Sequence, residues 1–313
     1  MNTKVLVTGG AGFIGSHIVD RLVDEECRVV VVDDLSTGDL ANIDKHLNCG
    51  LVDFVRADIR DKDAISKCTS EVDAVIHLAA IVSVQFSVKH PGLTDEVNVA
   101  GTRRLLESCV GSGIKRFIFI SSSSVYGTPQ YLPIDEHHPT NPISPYASSK
   151  LEGERLCQDF SNVSDLEPVI LRLFNVYGPR QLPNEYSGVI TNFMECAEKG
   201  QPLVVYGDGL QTRDFIHVKD VANAVLSQID DECSGEIFNI GCGKEVSINN
   251  LAKTVMSFSC KDCGIKYEPA RKGDILHSVA DTSKARKAFA YAPKISLEKG
   301  LQDLLLYRRM QIK

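Results

Sequence analysis

Val7-Thr8-Gly9-Gly10-Ala11-Gly12-Phe13-Ile14-Gly15 is the most informative stretch of the chain. It follows an apolar run that predicts a strand, and it leads into a pattern that predicts a helix. Its glycines satisfy two spacings at once, one through positions 10, 12 and 15 and one through positions 9, 12 and 15. Glycines at such a turn allow a tight bend and a close approach of the backbone to a phosphate. The first amides of the helix then favour binding of that phosphate.

The rest of the first half repeats this strand-to-helix alternation. Near-continuous apolar runs predict strands over Lys4–Thr8, Arg28–Val32, Val52–Arg56, Ala74–Leu78, Arg116–Ile120 and Val169–Leu173. Amphipathic stretches between them predict helices over Phe13–Val23, Lys62–Lys67, Thr94–Val110 and Tyr146–Phe160. Alternating strands and helices imply right-handed βαβ units. We therefore predict an α/β fold with a doubly wound parallel Rossmann sheet.

The second half has a different rhythm, with shorter strands and loops rich in proline and glycine. Strands are predicted over Leu203–Tyr206 and Glu236–Ile240, and helices over Gly188–Lys199, Val218–Ile229, Ile248–Ser257, Ser283–Ala290 and Leu297–Arg308. We predict a dinucleotide-binding domain over residues 1–175 and a smaller α/β substrate-binding domain over residues 176–313, with some segments crossing between them. The smaller domain is expected over the carboxyl edge of the sheet, where ligands of open α/β sheets bind.

Composition narrows the classes of function. The chain has 313 residues, of which 43% are hydrophobic and 24% charged, and its net charge is −7. This predicts a folded protein with no nucleic-acid partner, because no basic stripe is present. No apolar run is long enough for a membrane span and no signal-peptide pattern is present, so we expect a cytoplasmic protein. Ten cysteines are scattered along the chain. Cys260 and Cys263 could hold a metal or form a local disulfide, but ordinary thiols are favoured and no metal site is predicted.

Two acidic residues follow the second predicted strand. Asp33 stands about twenty residues after the glycines, where a carboxylate can bind the ribose hydroxyls of an adenosine. Asp33 and Asp34 would repel a 2′-phosphate, so the predicted cofactor is NAD rather than NADP. Asp58 and Ile59, after the third strand, are predicted to flank the adenine. Asp58 could instead be only a helix cap.

Tyr146-Ala147-Ser148-Ser149-Lys150 places a phenol and an ammonium four residues apart on one helix face. A cation about 5 Å away, at an effective dielectric of about 20, favours the phenolate by about 3 kcal/mol. The positive nicotinamide of NAD⁺ would add to this effect, so we predict that Tyr146 titrates near neutral pH and acts as a general base. Serines 121–124 end the fifth strand and offer hydroxyl groups at the same edge of the sheet.

Together these motifs resemble the extended short-chain dehydrogenases/reductases, and within them the UDP-glucose (UDP-hexose) 4-epimerases. The resemblance covers nearly the whole chain. It implies a catalytic set of Tyr146, Lys150 and Ser122. It implies that NAD is bound by Gly9, Gly12, Phe13, Ile14, Gly15, Asp33, Asp34, Asp58, Ile59, Leu78, Ala79, Ala80, Asn98, Tyr146 and Lys150.

The resemblance also implies a UDP-sugar as the substrate. In this family an asparagine and two arginines contact the diphosphate, here Asn175, Arg213 and Arg271, and a carboxylate binds the uridine ribose, here Asp274. A residue lining the sugar pocket is small when an N-acetyl group is admitted, and here it is Ser278. Ser122 and Tyr146 complete the implied substrate site.

One comparison within the family bears on the reaction. Related dehydratases carry Asp-Glu just after the catalytic hydroxyl and decarboxylases usually a glutamate, whereas this chain has Ser123 and Ser124. That difference favours a redox-neutral 4-epimerisation of UDP-glucose and UDP-galactose, or their N-acetyl forms, through a 4-keto intermediate. The alternatives are a related dehydratase, decarboxylase or reductase, or an NAD-sensing binding module. Family members commonly form homodimers through helices matching Thr94–Val110 and Tyr146–Phe160.

Overall fold

The computed structural model describes residues 3–181, 188–229, 233–259, 263–270 and 274–311. The chain divides into two compact units. The first comprises Met1–Val125, Thr140–Leu173 and Val221–Phe238, and the second comprises Tyr126–Pro139, Phe174–Asp220 and Asn239–Lys313. Each unit therefore takes a segment from the other half of the sequence. Within the described ranges, no helix is both long and apolar enough to cross a membrane.

A seven-stranded sheet forms the centre of the first unit. Its strands are β1 (Lys4–Thr8), β2 (Arg28–Asp33), β3 (Val52–Arg56), β4 (Ala74–His77), β5 (Arg116–Ser122) and β6 (Glu167–Leu173), with Ile237–Ile240 at the edge beside β6. The pairs from β3 through β2, β1, β4 and β5 to β6 are all parallel. The direction of strand addition reverses between β1 and β4, so the switch point that binds ligands in such sheets lies there. The predicted fold class is confirmed.

Helices and short helical turns follow these strands. They are α1 (Phe13–Asp24), α2 (Asp44–Leu47), α3 (Lys62–Thr69), α4 (Val84–Lys89), α5 (Pro91–Asp95), α6 (Thr102–Cys109) and α7 (Pro145–Val163), with 3₁₀ turns at Leu40–Asn42 and Ser123–Tyr126. A π-helical turn, Glu96–Gly101, lies between α5 and α6. The helix predicted over Thr94–Val110 is observed as helix up to Cys109, with this π-helical turn inside it. Apolar periodicity survives such a widened turn, so the sequence pattern does not reveal it.

The second unit contains small sheets and its own core. The elements in this part of the chain are β7 (Asn175–Tyr177), α8 (Val189–Lys199), β8 (Leu203–Tyr206), β9 (Thr212–Arg213), β10 (Phe215–His217), α9 (Val218–Leu226), β11 (Ile237–Ile240), β12 (Val246–Ser247), α10 (Ile248–Phe258), β13 (Ile265–Glu268), α11 (Ser283–Phe289) and α12 (Leu297–Gln311). Two of them are shared with the first unit: α9 continues into it, and β11 joins the large sheet. β7 pairs with β10, β8 with β13 and β9 with β12. Phe193, Leu203, Leu251 and Leu301 are among the fully buried core residues.

Candidate active site

The glycine loop lies at the switch point between β1 and β4. Gly9 has a φ of +72° and its amide donates to the Val32 carbonyl at 2.8 Å. A Cβ on Gly9 would lie 2.9 Å from the Ala79 amide nitrogen, and one on Gly15 would overlap the Gly9 carbonyl oxygen. Larger residues at 9 and 15 would therefore force the loop apart. The loop brings the backbone close to the space beyond the strand ends, which suits a dinucleotide.

The start of α1 offers free amides at this loop. Gly12 is the N-cap and has no side chain to bind them, and the first helical hydrogen bond runs from the Ser16 amide to the Gly12 carbonyl at 3.0 Å. The amides of Phe13, Ile14 and Gly15 therefore have no partner within the helix. Such amides, together with the positive end of the helix dipole, fit a pyrophosphate.

Asp33 ends β2 beside the glycine loop. It is buried, and its two carboxylate oxygens accept from the Leu35 amide at 2.9 Å and the Ala11 amide at 3.0 Å. Burial raises the pKa of Asp33, and these two backbone donors oppose part of that rise. Each oxygen keeps one acceptor position, which is what a ribose diol requires. Asp34 is exposed and accepts from the Ser36 amide at 2.9 Å.

Asp58 binds Arg60 rather than capping a helix. Its carboxylate accepts from Arg60 Nη2 at 2.6 Å and Nε at 3.0 and 3.1 Å, which lowers the pKa of Asp58. The N-cap of α3 is Asp61, which accepts from the Asp63 and Ala64 amides. The helix-cap alternative is therefore wrong. Ile59 is buried, and its proposed place beside the adenine stays a prediction.

A buried chain of hydrogen bonds fixes the end of β4. Thr8 Oγ1 lies 2.7 Å from His77 Nδ1, and His77 Nε2 lies 2.8 Å from Thr102 Oγ1. Thr102 in turn donates to the Asn98 carbonyl at 2.6 Å. Burial, and then the charge of Lys150, lower the pKa of His77 to about 3, so the ring is neutral. It serves as a rigid connection between β1, β4 and the π-helical turn.

Asn98 orders the loop after β4. Its Oδ1 accepts from the Ile81 amide at 2.7 Å, and its Nδ2 donates to the Ile81 carbonyl and to Ser149 Oγ, both at 2.9 Å. Ser149 donates to the Tyr146 carbonyl at 2.8 Å. The loop predicted to contact the cofactor contains Leu78, Ala79 and Ala80. Asn98 thus links this loop to the first turn of α7.

The first turn of α7 is fixed from two sides. Ser144 is the N-cap and accepts from the Ala147 amide at 3.1 Å, and Pro145 occupies the first helical position. The Tyr146 amide donates to Ser87 Oγ of α4 at 3.1 Å. The backbone at Tyr146 is therefore ordered before any ligand contributes.

The side chains of Tyr146 and Lys150 both contact residues at the end of β5. Lys150 Nζ donates to the Ile120 carbonyl at 2.9 Å and lies 5.1 Å from the centre of the Phe119 ring. Burial lowers the pKa of Lys150 to about 8. The half-buried Tyr146 is hydrogen-bonded to Ser122, while burial raises the pKa of its phenol. For the protein groups by themselves the pKa of Tyr146 is therefore raised, and the lowering expected from Lys150 together with the nicotinamide charge stays a prediction.

In the second unit, three predicted substrate residues line one cavity of about 210 Å³. They are Asn175, Arg213 and Asp274. Arg213 donates to Asp274 Oδ1 and to the Ile275 carbonyl, both at 2.6 Å. Apolar side chains and the amides of Gln181 and Gln211 form the remaining wall. The cavity thus combines a cation, a carboxylate and an apolar wall.

The other predicted substrate residues lie elsewhere. Ser278 is buried outside the lining of this cavity, Ser122 and Tyr146 belong to the first unit, and Arg271 lies outside the described residues. Asp214 next to Arg213 is fully buried and accepts from the amides of Cys242, Gly243 and Ala280. It joins the segment that carries Arg213 to two loops.

Several supporting residues were not predicted. Thr8 accepts from the Leu78 and Ala79 amides at 3.3 Å, and Ser87, Ser149 and Glu154 bind residues around Tyr146 and Lys150. In the sequence, Thr8 stands out as a polar residue within an apolar strand, and this pattern could have indicated its supporting role. In the described part of the chain no group of three or more histidines, cysteines and acids could hold a metal. Cys260 lies outside the described residues, and Cys263 is buried in the second unit.

The sequence model of the NAD dependent epimerase/dehydratase family matches residues 5–241. The chain belongs to this family. It is 38% identical to the UDP-glucose 4-epimerase of Mycolicibacterium smegmatis over 98% of each protein. It is also 34% identical to a UDP-N-acetyl-alpha-D-glucosaminuronate decarboxylase of Bacillus cytotoxicus, over 99% of this chain and 98% of the relative. The solved UDP-glucose 4-epimerase of Thermotoga maritima with UDP-glucose has a TM-score of 0.94 and 36% identity, covering 99% of this chain and 100% of that one.

These relationships confirm the resemblance given by the sequence motifs. The protein is an NAD-dependent enzyme of the epimerase/dehydratase family, an isomerase of the epimerase type. The glycine loop, the uncapped start of α1 and Asp33 fit NAD, because each offers the donor or acceptor that one part of the cofactor needs.

Proposed function

We propose that this enzyme interconverts UDP-hexoses at C4′, acting on UDP-glucose and UDP-galactose and on their N-acetyl forms. One observation carries the proposal: Tyr146 is hydrogen-bonded to Ser122 at the end of β5, and serines occupy the two following positions. A hydroxyl pair can bind one sugar hydroxyl and move its proton. Serines at 123 and 124 cannot supply the acid that elimination of water would require.

The glycine loop, the start of α1 and Asp33 would hold NAD, which would supply reversible hydride transfer at C4′. Tyr146 would take the proton of the 4′-hydroxyl and give it back, and Ser122 would share that hydrogen bond and orient the hydroxyl. Lys150 would hold positive charge beside the phenol, since its Nζ is fixed by the Ile120 carbonyl. The 4-keto sugar must turn over between the two transfers, so its ring should be bound lightly.

Most of the binding free energy should therefore come from contacts with the nucleotide rather than with the sugar ring. Asn175, Arg213 and Arg271 are proposed to bind the diphosphate and Asp274 the uridine ribose. The cavity shared by Asn175, Arg213 and Asp274 supports this assignment. A guanidinium fixed by two neighbours at 2.6 Å keeps its remaining N–H groups aimed at a phosphate. The small side chain of Ser278 is proposed to leave room for an N-acetyl group.

The proposal is tested by ¹H NMR of UDP-glucose, UDP-galactose and the two N-acetyl forms incubated with the NAD-loaded protein. Inversion at C4′ is expected, with no net change in NADH and no loss of carbon. Absence of inversion with all four sugars would contradict the proposal.

A decarboxylase is the second candidate, because three relatives at 34–35% identity are named for decarboxylation of a UDP-sugar acid. Release of CO₂ and a pentose product from UDP-glucuronic acid would favour it. Serines rather than acids at positions 123 and 124 disfavour a decarboxylase.

The ionisation of Lys150 gives a pH-dependence with opposite signs for activity and stability. We expect kcat to fall as pH rises through about 8, because the ammonium that supports Tyr146 loses its proton there. Because the lysine pKa is lower in the folded than in the unfolded chain, the native state loses this proton first. The free energy of unfolding should therefore rise with pH between about 8 and the unfolded value of about 10.4.

The pH profile of kcat measures the first effect. The difference in unfolding free energy between the wild type and Lys150→Met, followed over the same pH range, isolates the second. A flat difference would contradict the assignment of this pKa to Lys150.

Loss of the Arg213 fork should weaken nucleotide binding. Hydrogen bonds to charged groups contribute about 1.5–3 kcal/mol each, so Arg213→Met should weaken UDP binding by about 10- to 100-fold. Isothermal titration with UDP measures the change. Arg28→Met is a matched control, since Arg28 is exposed at the start of β2 in the first unit. Equal affinity in the Arg213 variant would remove Arg213 from the proposed site.

We also propose a homodimer formed through α5, α6 and α7. The cavity along α5 and α7, lined by Pro91, Asp95, Leu151 and Arg155 among others, lies on the face that such an interface would cover. Light scattering coupled to gel filtration would give the mass directly, and a monomer at micromolar concentration would contradict the proposal.

A further inference from the structure

β5 and α7 are joined at three successive strand positions. The Ile120 carbonyl accepts from Lys150 Nζ, the Ser121 hydroxyl donates to a carboxylate oxygen of Glu154, and Ser122 is hydrogen-bonded to Tyr146. The first and third contacts belong to the proposed chemistry. The middle contact, between Ser121 and Glu154, has no role in that chemistry.

Glu154 is held on its other side by β6. Arg172 Nε donates to Oε1 at 2.9 Å, and Arg172 Nη2 donates to Oε2 at 2.6 Å. Glu154 is 2% exposed and Arg172 4% exposed. Burying such a pair costs desolvation that apolar side chains of similar size would avoid, so the pair adds little stability by itself. Its position, one helical turn after Lys150, suggests what it contributes.

Most of the ionisable groups around Lys150 are uncharged. Among the described groups that face it, His77 of β4 is neutral, Tyr146 is a phenol with a raised pKa, and burial raises the pKa of Cys157 on α7.

Glu154 is the acid in this set, and its charge acts to raise the pKa of Lys150. Arg172 of β6 is the second cation. One buried carboxylate therefore balances the charge of two buried cations.

We propose that Glu154 is a positioning residue which, together with Arg172 and Ser121, fixes α7 on the end of β5 and keeps the Lys150 ammonium charged beside Tyr146. This rests on the proposed function, in which Lys150 must carry charge while Tyr146 transfers a proton. Glu154 itself touches neither substrate nor cofactor in this proposal.

The ionisation of Lys150 can be measured without turnover. In protein labelled with ¹³C at lysine Cε, the shift of the Lys150 signal is followed from pH 6 to 11, and Lys150→Met assigns it by the loss of one resonance. Glu154→Gln keeps the side-chain shape and removes the charge. The titration midpoint should fall by roughly one to two pH units, as expected for a charge about one helical turn away at an effective dielectric of about 20.

Two further variants separate charge balance from simple support. Arg172→Met leaves the Glu154 charge unbalanced, so the midpoint of Lys150 should rise. The double variant Glu154→Gln/Arg172→Met removes both charges and should bring the midpoint back towards the wild-type value. If Glu154→Gln does not fold, a rise of the midpoint in Arg172→Met that the double variant cancels still decides the question.

Glu152→Gln is the matched control, since Glu152 lies on the same helix and binds the exposed Arg155. It should leave the midpoint unchanged. The alkaline fall of kcat should move with the NMR midpoint in every variant. An unchanged Lys150 midpoint in both Glu154→Gln and Arg172→Met would overturn the proposal. Midpoints that shift as expected in a protein that inverts no UDP-sugar would overturn the proposed function alone.

Discussion

Tyr146→Phe is expected to lower kcat for C4′ inversion by about 10²- to 10⁴-fold, the usual contribution of a positioned general acid or base. The phenylalanine ring fills the same space, and the Tyr146 amide keeps its bond to Ser87. NAD content and the thermal unfolding midpoint should therefore change little. Steady-state rates with UDP-galactose, measured on protein of known NAD content, give the effect.

Tyr131→Phe is the control for this substitution. The Tyr131 hydroxyl binds Asp135 at 2.9 Å on an exposed loop, so its removal should leave kcat unaffected. A Tyr146→Phe enzyme with wild-type kcat would show that another group moves the proton.

Gly15→Ala is expected to have the second largest effect, on cofactor binding. A methyl group there would overlap the Gly9 carbonyl oxygen and lie 2.8 Å from the Gly10 Cα, and both obstacles are backbone. The glycine loop must shift, at a cost of about 3 kcal/mol or more. That strain should weaken NAD binding by at least about 100-fold and lower the thermal unfolding midpoint. NAD released on denaturation, determined by chromatography, measures the first effect.

Gly264→Ala provides the comparison at an exposed position. A Cβ there meets nothing within 4 Å, and the backbone does not require a positive φ. It should leave both NAD content and the unfolding midpoint near the wild-type values. Full NAD occupancy in Gly15→Ala would mean that the loop adopts another conformation than the one described.

Local pattern predicted the first unit closely. The predicted β1 and β3 have the observed bounds, and α1 ends one residue later than expected. Short-range features specify these elements, as in β1, an apolar run that is almost wholly buried, and in the glycine at the start of α1. The glycine loop and Asp33 were found for the same reason, since their spacing along the chain is set by one βαβ unit.

Predictions were weaker where contacts are distant in sequence. Glu236–Ile240 was predicted as a strand of the smaller domain, but the observed strand, Ile237–Ile240, pairs with β6 at the edge of the large sheet. The four residues read as a strand in either place, so local pattern could not choose the partner. Asp58 was similarly ambiguous, because only the structure shows that its carboxylate binds Arg60.

The residues Tyr146 and Lys150 follow from a spacing of four on a helix, which the chain specifies locally. Their partners on β5, and the Glu154–Arg172 pair behind them, come from segments 18 to 33 residues apart that meet only when α7 packs on the sheet. Ionisation depends on those partners and on burial, because desolvation acts on every charge that packing removes from water. Local sequence therefore predicts which groups react, whereas packing sets the pKa of each.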